Sequence, residues 1–423
     1  MRIRPQLFVV VAGLLLAAAA SAADGTGPGD RLKLACPAGA GSDHPCRAVY
    51  FWGADGKRHA FPNEKVYFSW YRDFTGIKTV DAAAMAGLTL GRNATYRPGS
   101  RLVKIPSVPE VYAVDAGAEL RAIVSESAAA AVFGADWNSQ IDDLSEVFFL
   151  DYRIGADIAG VANYDSAARL AAATDIDADS GATYRHQPVT TAAGTFDAYV
   201  IALDRRNFQM KTAVASATDC ADDCAAKPLA DYAADYGAGL GLHGTYFCPP
   251  DYPDCTAKTY SFLWPVFDSA SGQMRNAENI KFHEAPIVTG YADGHVAYYP
   301  RANAFGSLAE FTAAYGSPTD AAIANYPGLM QDGTVIVASE PRLEEAQRTV
   351  RGTRGGLGFN REKFFLVIAK NATVPELAEV MKSLGADNAL NLDGGGSAAL
   401  LYGGVYKVGP GRLLPNAIVF VRR

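Results

Sequence analysis

The chain has 423 residues, 49% of them apolar, which is enough for more than one packed core. Its net charge of −7 comes without a basic block or stripe, which argues against a nucleic-acid partner. Beyond the first two dozen residues, no apolar run is long enough to span a bilayer.

The N-terminus reads as a secretory signal over residues 1–22. Arg2 and Arg4 give a basic start, residues 7–20 are apolar, and Ala20-Ser21-Ala22 is an A-x-A cleavage site. The mature chain is then expected from Ala23 in a secreted, periplasmic or cell-surface location. An uncleaved membrane anchor is the alternative. Six cysteines in an exported chain suggest disulfides, and they fall into local pairs: Cys36 with Cys46, Cys220 with Cys224, Cys248 with Cys255. Their spacing fits zinc poorly, and no metal or cofactor is called for.

Residues 24–30 are a Gly-rich linker. Residues 31–160 form an aromatic-rich module that reads as a duplication. Val49-Tyr50, Asp55-Gly56, Asp73-Phe74 and Ile77 return about sixty residues later as Val111-Tyr112, Gly117-Ala118, Asp136-Trp137 and Ile141. Each copy is predicted as a hairpin followed by a helix. Asp55-Gly56 marks the first turn, and Ser125 begins the second helix. The wording of residues 55–71 resembles a module of exported bacterial proteins to which no chemistry is attached. Tyr67, Phe68, Trp70 and Tyr71 can line a sugar site or fill a core, and the core reading is preferred. Residues 161–194, with few large apolar side chains, read as a linker or surface loop.

A second domain is expected over residues 195–423. Residues 199–204 open it as a strand, Pro228 to Tyr236 reads as a helix, and Asp293-Gly294 turns a hairpin. Residues 364–368 are a buried strand. Thr373 and Glu376 have capping-box spacing, and Leu377, Val380, Met381 and Leu384 form one apolar face that Gly385 ends. The fold class predicted is α+β: a mixed-sheet C-terminal domain with flanking helices, preceded by the smaller duplicated α+β module.

The most informative stretch is 388–402. An apolar run ends at Asp393, three glycines (Gly394, Gly395, Gly396) and Ser397 follow, and a second apolar run begins. This reads as strand, tight turn, strand, with backbone N–H groups open to a ligand. The bland alternative is an ordinary hairpin turn with Ser397 as its cap. The triplet lacks the Gly-Lys-Ser/Thr ending of a P-loop, and no dinucleotide fingerprint follows a strand.

Three separated pieces, His243-Gly244-Thr245, Arg354 to Gly358, and Asn391 to Ser397, together resemble the phosphodiester glycosidase family over the C-terminal half. Pro327-Gly328-Leu329, Asp332-Gly333, Arg412 and Asn416 also fit. The chain departs from the family where Asn becomes His243 and where a Thr after Arg354 becomes Gly355. The resemblance implies a hydrolase of glycosyl-1-phosphodiesters, with a sugar–phosphate diester or cell-surface glycan as partner. Asp393, Arg354 and His243 would be catalytic. Asn391, Gly394, Gly395, Gly396, Ser397, Gly244, Thr245 and Gly358 would bind substrate. Arg354 would neutralise the leaving phosphate, and Asp393 would be nucleophile, general base or stabiliser of oxocarbenium charge. A second carboxylate is open among Glu284, Asp293, Asp332 and Glu340. The alternative is a non-catalytic glycan-binding or envelope protein on a decayed enzyme domain, a reading that His243 favours.

Overall fold

The computed structural model describes residues 25–423, so the expected signal segment lies outside the described residues. Among the described residues the strands form five sheets. Two belong to the N-terminal module, and they share one connectivity. In the first, Arg31–Leu34 pairs antiparallel with Tyr50–Trp52, which forms a hairpin with Arg58–Ala60. After the helix Glu64–Trp70, Lys78–Val80 returns parallel to the opening strand. In the second, Leu102–Lys104, Val111–Asp115, Glu119–Ala122, the helix Glu126–Phe133 and Ile141–Asp143 repeat that path. Asn63 and Ser125 cap the corresponding helices through their side chains, each satisfying a free N–H in the first turn. Tyr67 is buried, whereas Phe68 is 45% exposed, so the core reading of this aromatic group does not extend to Phe68.

The C-terminal domain is α+β. A seven-stranded sheet runs in the order Ala182–Thr191, Gly194–Asp204, Lys363–Ala372, Gly352–Phe359, Asn388–Gly394, Gly328–Gln331, Thr334–Val335. A five-stranded sheet runs Phe208–Val214, Asn416–Arg422, Leu240–His243, Leu400–Tyr402, Val405–Val408. Both have antiparallel ladders. Their facing sides share one core that includes Ile201, Phe208, Leu242, Leu357, Leu366, Leu390, Leu392, Leu400 and Ile418. A third sheet adds Val266, Val288 and Ile323 to it. The outer face of the seven-stranded sheet is covered by the helix Val374–Ser383 through Leu377, Val380 and Met381. Its predicted capping box is formed: Thr373 accepts from the Glu376 N–H, and Glu376 accepts from the Thr373 N–H. The helix Leu229–Asp235 covers the five-stranded sheet.

One boundary is corrected. Residues 161–194, expected as a linker or loop, include two short helices, Ser166–Ala172 and Ile176–Asp179, and the ten-residue strand Ala182–Thr191. That strand pairs along its whole length with Gly194–Asp204. It lies at the sheet edge, where outward polar residues and Pro188 are tolerated, so it lacks the apolar pattern of an interior strand. The three local cysteine pairs are disulfide-bonded. No helix among the described residues is long and apolar enough to cross a membrane.

Candidate active site

The site is built on the interior strand Asn388–Gly394. Side chains alternate along a strand. Leu390 and Leu392 enter the core between the sheets, and Ala389 joins the cluster beneath the helix Val374–Ser383. Asn391 and Asp393 therefore share the face of Ala389, with Asp393 at the strand end. The turn that follows crosses to the five-stranded sheet. Gly395 has φ 57°, a left-handed conformation that favours glycine, and Gly395 and Gly396 are exposed. Gly394 lies so close to the neighbouring strand that a Cβ would stand 2.7 Å from the Thr353 carbonyl oxygen.

Burial pushes the Asp393 carboxyl up to about 6, against the opposing pull of the Ser397 hydroxyl, the Gly394 N–H, Arg412 and Arg354. The Gly394 N–H donates to Asp393 Oδ1 at 2.7 Å. Two cations flank this centre. Arg354 sits opposite Gly394 in the strand register. Its guanidinium donates to the carbonyls of Ala372 (3.2 Å) and Val350 (2.6 Å), and it pairs with no carboxylate among the described residues. Arg412 lies across the turn. It donates to Ser397 Oγ at 3.4 Å and to Asp251 at 2.5 Å, and it covers the Tyr252 ring at 5.1 Å.

His243 is brought to this centre, but from behind. It is fully buried, and Nε2 meets the Asp393 carbonyl oxygen at 2.6 Å while Nδ1 accepts from the Ala399 N–H at 3.3 Å. Burial holds its pKa below the usual range, so the ring is neutral, with the proton on Nε2. The glycine that replaces the family's Thr makes room for it: a Cβ on Gly355 would stand 2.2 Å from His243 Cε1. His243 is therefore a positioning residue for the Asp393 backbone, not a group facing a substrate.

The other expected substrate contacts divide. Asn391, Gly394, Gly395, Gly396 and Ser397 lie at the centre. Gly244 and Thr245 are framework: the Gly244 carbonyl accepts from the Asp393 N–H at 3.1 Å, and Thr245 is buried against Asn416. Gly358 lies away from the site, where a Cβ would stand 3.1 Å from Ala386 Cβ and from Met381 Sδ.

Sequence reasoning missed Tyr246. Its hydroxyl accepts from Asn391 Nδ2 at 2.8 Å and from Gln347 Nε2 at 3.1 Å. Asn391 also donates to the Tyr326 carbonyl at 3.2 Å, and its Oδ1 is buried without a partner. Tyr246, Tyr326 and Gln347 line a cavity of about 420 Å³. Of the four candidate second carboxylates, Glu284 and Glu340 border it. Glu284 is paired with Arg342 at 3.2 Å, whereas Glu340 accepts from the Gly328 N–H at 3.2 Å and is raised chiefly by burial. Asp332 is an exposed turn residue, and the exposed Asp293 sits in a hairpin turn where its carbonyl accepts from Arg423.

At this strand end one half-buried carboxylate, an open glycine turn and two arginines meet. Residues 283–421 match the model of the phosphodiester glycosidase family, in line with the resemblance carried by residues 391–397. A structure described as a hypothetical protein from Synechocystis is 17% identical, with a TM-score of 0.40; 57% of this chain and 62% of that chain are covered. The catalytic domain of zebrafish N-acetylglucosamine-1-phosphodiester alpha-N-acetylglucosaminidase, auto-inhibited by its pro-peptide, is 16% identical, with a TM-score of 0.44; 57% and 83% of the two chains are covered. No curated protein matches.

Proposed function

We propose that this protein is an exported glycosidase that cleaves the anomeric bond of glycosyl-1-phosphodiesters, with cell-surface glycopolymers as a fitting source of substrate. The observation that carries this reading is the meeting of Asp393, the Gly394–Ser397 turn, Arg354 and Arg412 at one strand end. Breaking an anomeric C–O bond on the phosphate side expels a phosphate monoester. That group leaves readily once its charge is met, so cations matter more than a strong acid. Arg354 and Arg412 supply them in a form suited to phosphate oxygens. The exposed turn adds backbone N–H groups. Asp393, mostly ionised at neutral pH, stands where positive charge develops on the sugar and serves as nucleophile, base or electrostatic stabiliser.

The binding-protein alternative drew its support from His243, and a buried positioning role for that residue removes the reason to prefer it. Export is supported by the basic-apolar start and the three disulfides. The test is to incubate the oxidised full chain with a panel of sugar-1-phosphodiesters and measure released reducing sugar and phosphate monoester. Turnover of at least one diester, lost in Asp393→Asn, is expected. Inactivity across the panel would overturn the hydrolase reading.

A further inference from the structure

We propose that the cavity joined to the Asp393 strand through Tyr246 and Asn391 is the glycosyl subsite, and that substrate lies with its sugar ring between Trp264 and Glu340 and its phosphate over the Gly394–Ser397 turn. This assignment rests on the hydrolase reading and gives it a direction.

Charge sorts the two ends. The phosphate end carries Arg354, which has no carboxylate partner, and Arg412. The cavity is lined by three glutamates, Glu284, Glu340 and Glu344, against two arginines, Arg301 and Arg342, of which Arg342 is paired with Glu284; Glu340 has no ion pair among the described residues and is held by a neutral donor, the Gly328 N–H. Arg301 contributes only a longer-range attraction. A phosphate placed against Glu340 meets like charge, whereas a sugar hydroxyl donates to it in a charge-assisted hydrogen bond. Trp264, half-buried on the cavity wall with its ring 4.9 Å from that of His283, offers an aromatic face to the C–H side of a pyranose. The volume of about 420 Å³ falls in the usual range for a small-ligand site.

Unused hydrogen-bonding capacity lies at the border between the two ends. Tyr246 accepts from both Asn391 and Gln347, so both lone pairs of its hydroxyl are taken and its proton is left for a ligand oxygen. Asn391 Oδ1 has no donor. One segment ties the ends together. Ser339, Glu340 and Gln347 line the cavity, and three residues later the Val350 carbonyl accepts from Arg354. A sugar that orders this segment also fixes the guanidinium that meets the phosphate.

The test uses the full chain and five free sugars: N-acetylglucosamine, glucosamine, glucose, galactose and mannose, each at millimolar concentration. Saturation-transfer NMR should detect at least one, and methyl phosphate should not displace it. Glu340→Gln, which keeps the shape, should weaken that sugar about tenfold or more. Trp264→Ala should abolish its binding, and Trp264→Phe should retain it; circular dichroism checks that each variant is folded. With a diester substrate, Glu340→Gln should raise KM more than it lowers kcat. If none of the five sugars binds, or if both Glu340→Gln and Trp264→Ala bind sugar as wild type does, the subsite is refuted. Diester turnover with unchanged KM in those variants refutes the subsite and leaves the hydrolase reading standing. Sugar binding that depends on Trp264 in a chain that turns over no diester does the reverse.

Discussion

Among the described residues, two places hold carboxylates pushed up to about 6 or 7 by burial, and they differ in the partners that hold them. At the strand end Asp393 rises to about 6; in the short helix Ile176–Asp179, Asp177 and Asp179 each rise to about 7. The helix pair borders a cavity of about 350 Å³ but is engaged by hydrogen bonds from the module turns. Asp177 accepts from the Ala54 N–H at 2.8 Å and the Tyr402 hydroxyl at 3.2 Å, and Asp179 accepts from the Gly117 N–H at 3.0 Å. Ala54 and Gly117 sit in corresponding hairpin turns of the two N-terminal sheets, so each aspartate ties one of these sheets to the helix Ile176–Asp179. Asp393 instead opens on exposed glycines, with two arginines beside it. A raised pKa marks burial in both places. The two places differ in their partners: hydrogen bonds from the module turns hold the helix pair, whereas Asp393 borders exposed glycines and Arg354, a cation with no carboxylate partner among the described residues.

The most severe way to break the comparison is to remove the structural side. A chain beginning at Thr195 loses the helix Ile176–Asp179 and the edge strand Ala182–Thr191, and it leaves the hydrogen-bonding edge of the strand Gly194–Asp204 unpaired. It is expected to be insoluble, whereas the full chain is soluble. A soluble, cooperatively melting fragment from Thr195 would show that neither element is needed.

On the other side, Asp393→Asn should cut turnover by on the order of 10²–10³ or more while leaving the melting temperature close to wild type. Retained activity would remove Asp393 from the mechanism. Arg354→Ala should also cost heavily, and less so with an activated aryl phosphate as leaving group, because a better leaving group needs less neutralisation. A penalty that does not depend on the leaving group would place Arg354 in binding alone.

A smaller effect sharpens the electrostatics. If the ionised form of Asp393 is the active one, kcat/KM falls as pH drops below about 6. Arg412 stabilises that ionised form, so Arg412→Ala should move the acid limb to higher pH. An unmoved limb would mean that another group controls it.

How much of this was legible in advance depends on whether the signal was local. The helix Val374–Ser383 was readable because its cap, apolar face and Gly385 stop lie within a dozen residues. The turn after Asp393 was readable because three glycines in a row have few other uses. The edge strand was hidden because half its residues face water. His243 was misplaced because a strand-end histidine looks the same in sequence whether it turns to the cleft or to the carbonyl behind it. Tyr246, Gln347 and Asn391 meet at one hydroxyl from three distant segments, and nothing in the order of residues announces that. Arg412 could have been found: it was already set apart as fitting the family, and it is nearer to Asp393 in sequence than Arg354 or His243.

The finest test is pH-linked stability at Asp177. In the unfolded chain this carboxyl has its ordinary value of 3.8, and in the folded chain about 7, with burial as the main cause and Asp175 and Asp55 adding to it. The folded state therefore holds the proton over a window in which the unfolded state has released it. Asp177 favours folding most at low pH, and that contribution is lost as pH rises from about 4 to about 7. Asp177→Asn keeps an oxygen for the Ala54 N–H and removes the ionisation. The variant should equal or fall slightly below wild type near pH 4, and its melting temperature should gain on wild type steadily up to pH 7. Asp177→Ala leaves the Ala54 N–H without its partner and should cost about 1–3 kcal/mol at every pH. If Asp177→Asn instead tracks wild type in parallel from pH 4 to 8, the carboxylate is charged throughout, and the junction is held by an ion rather than by a buried acid.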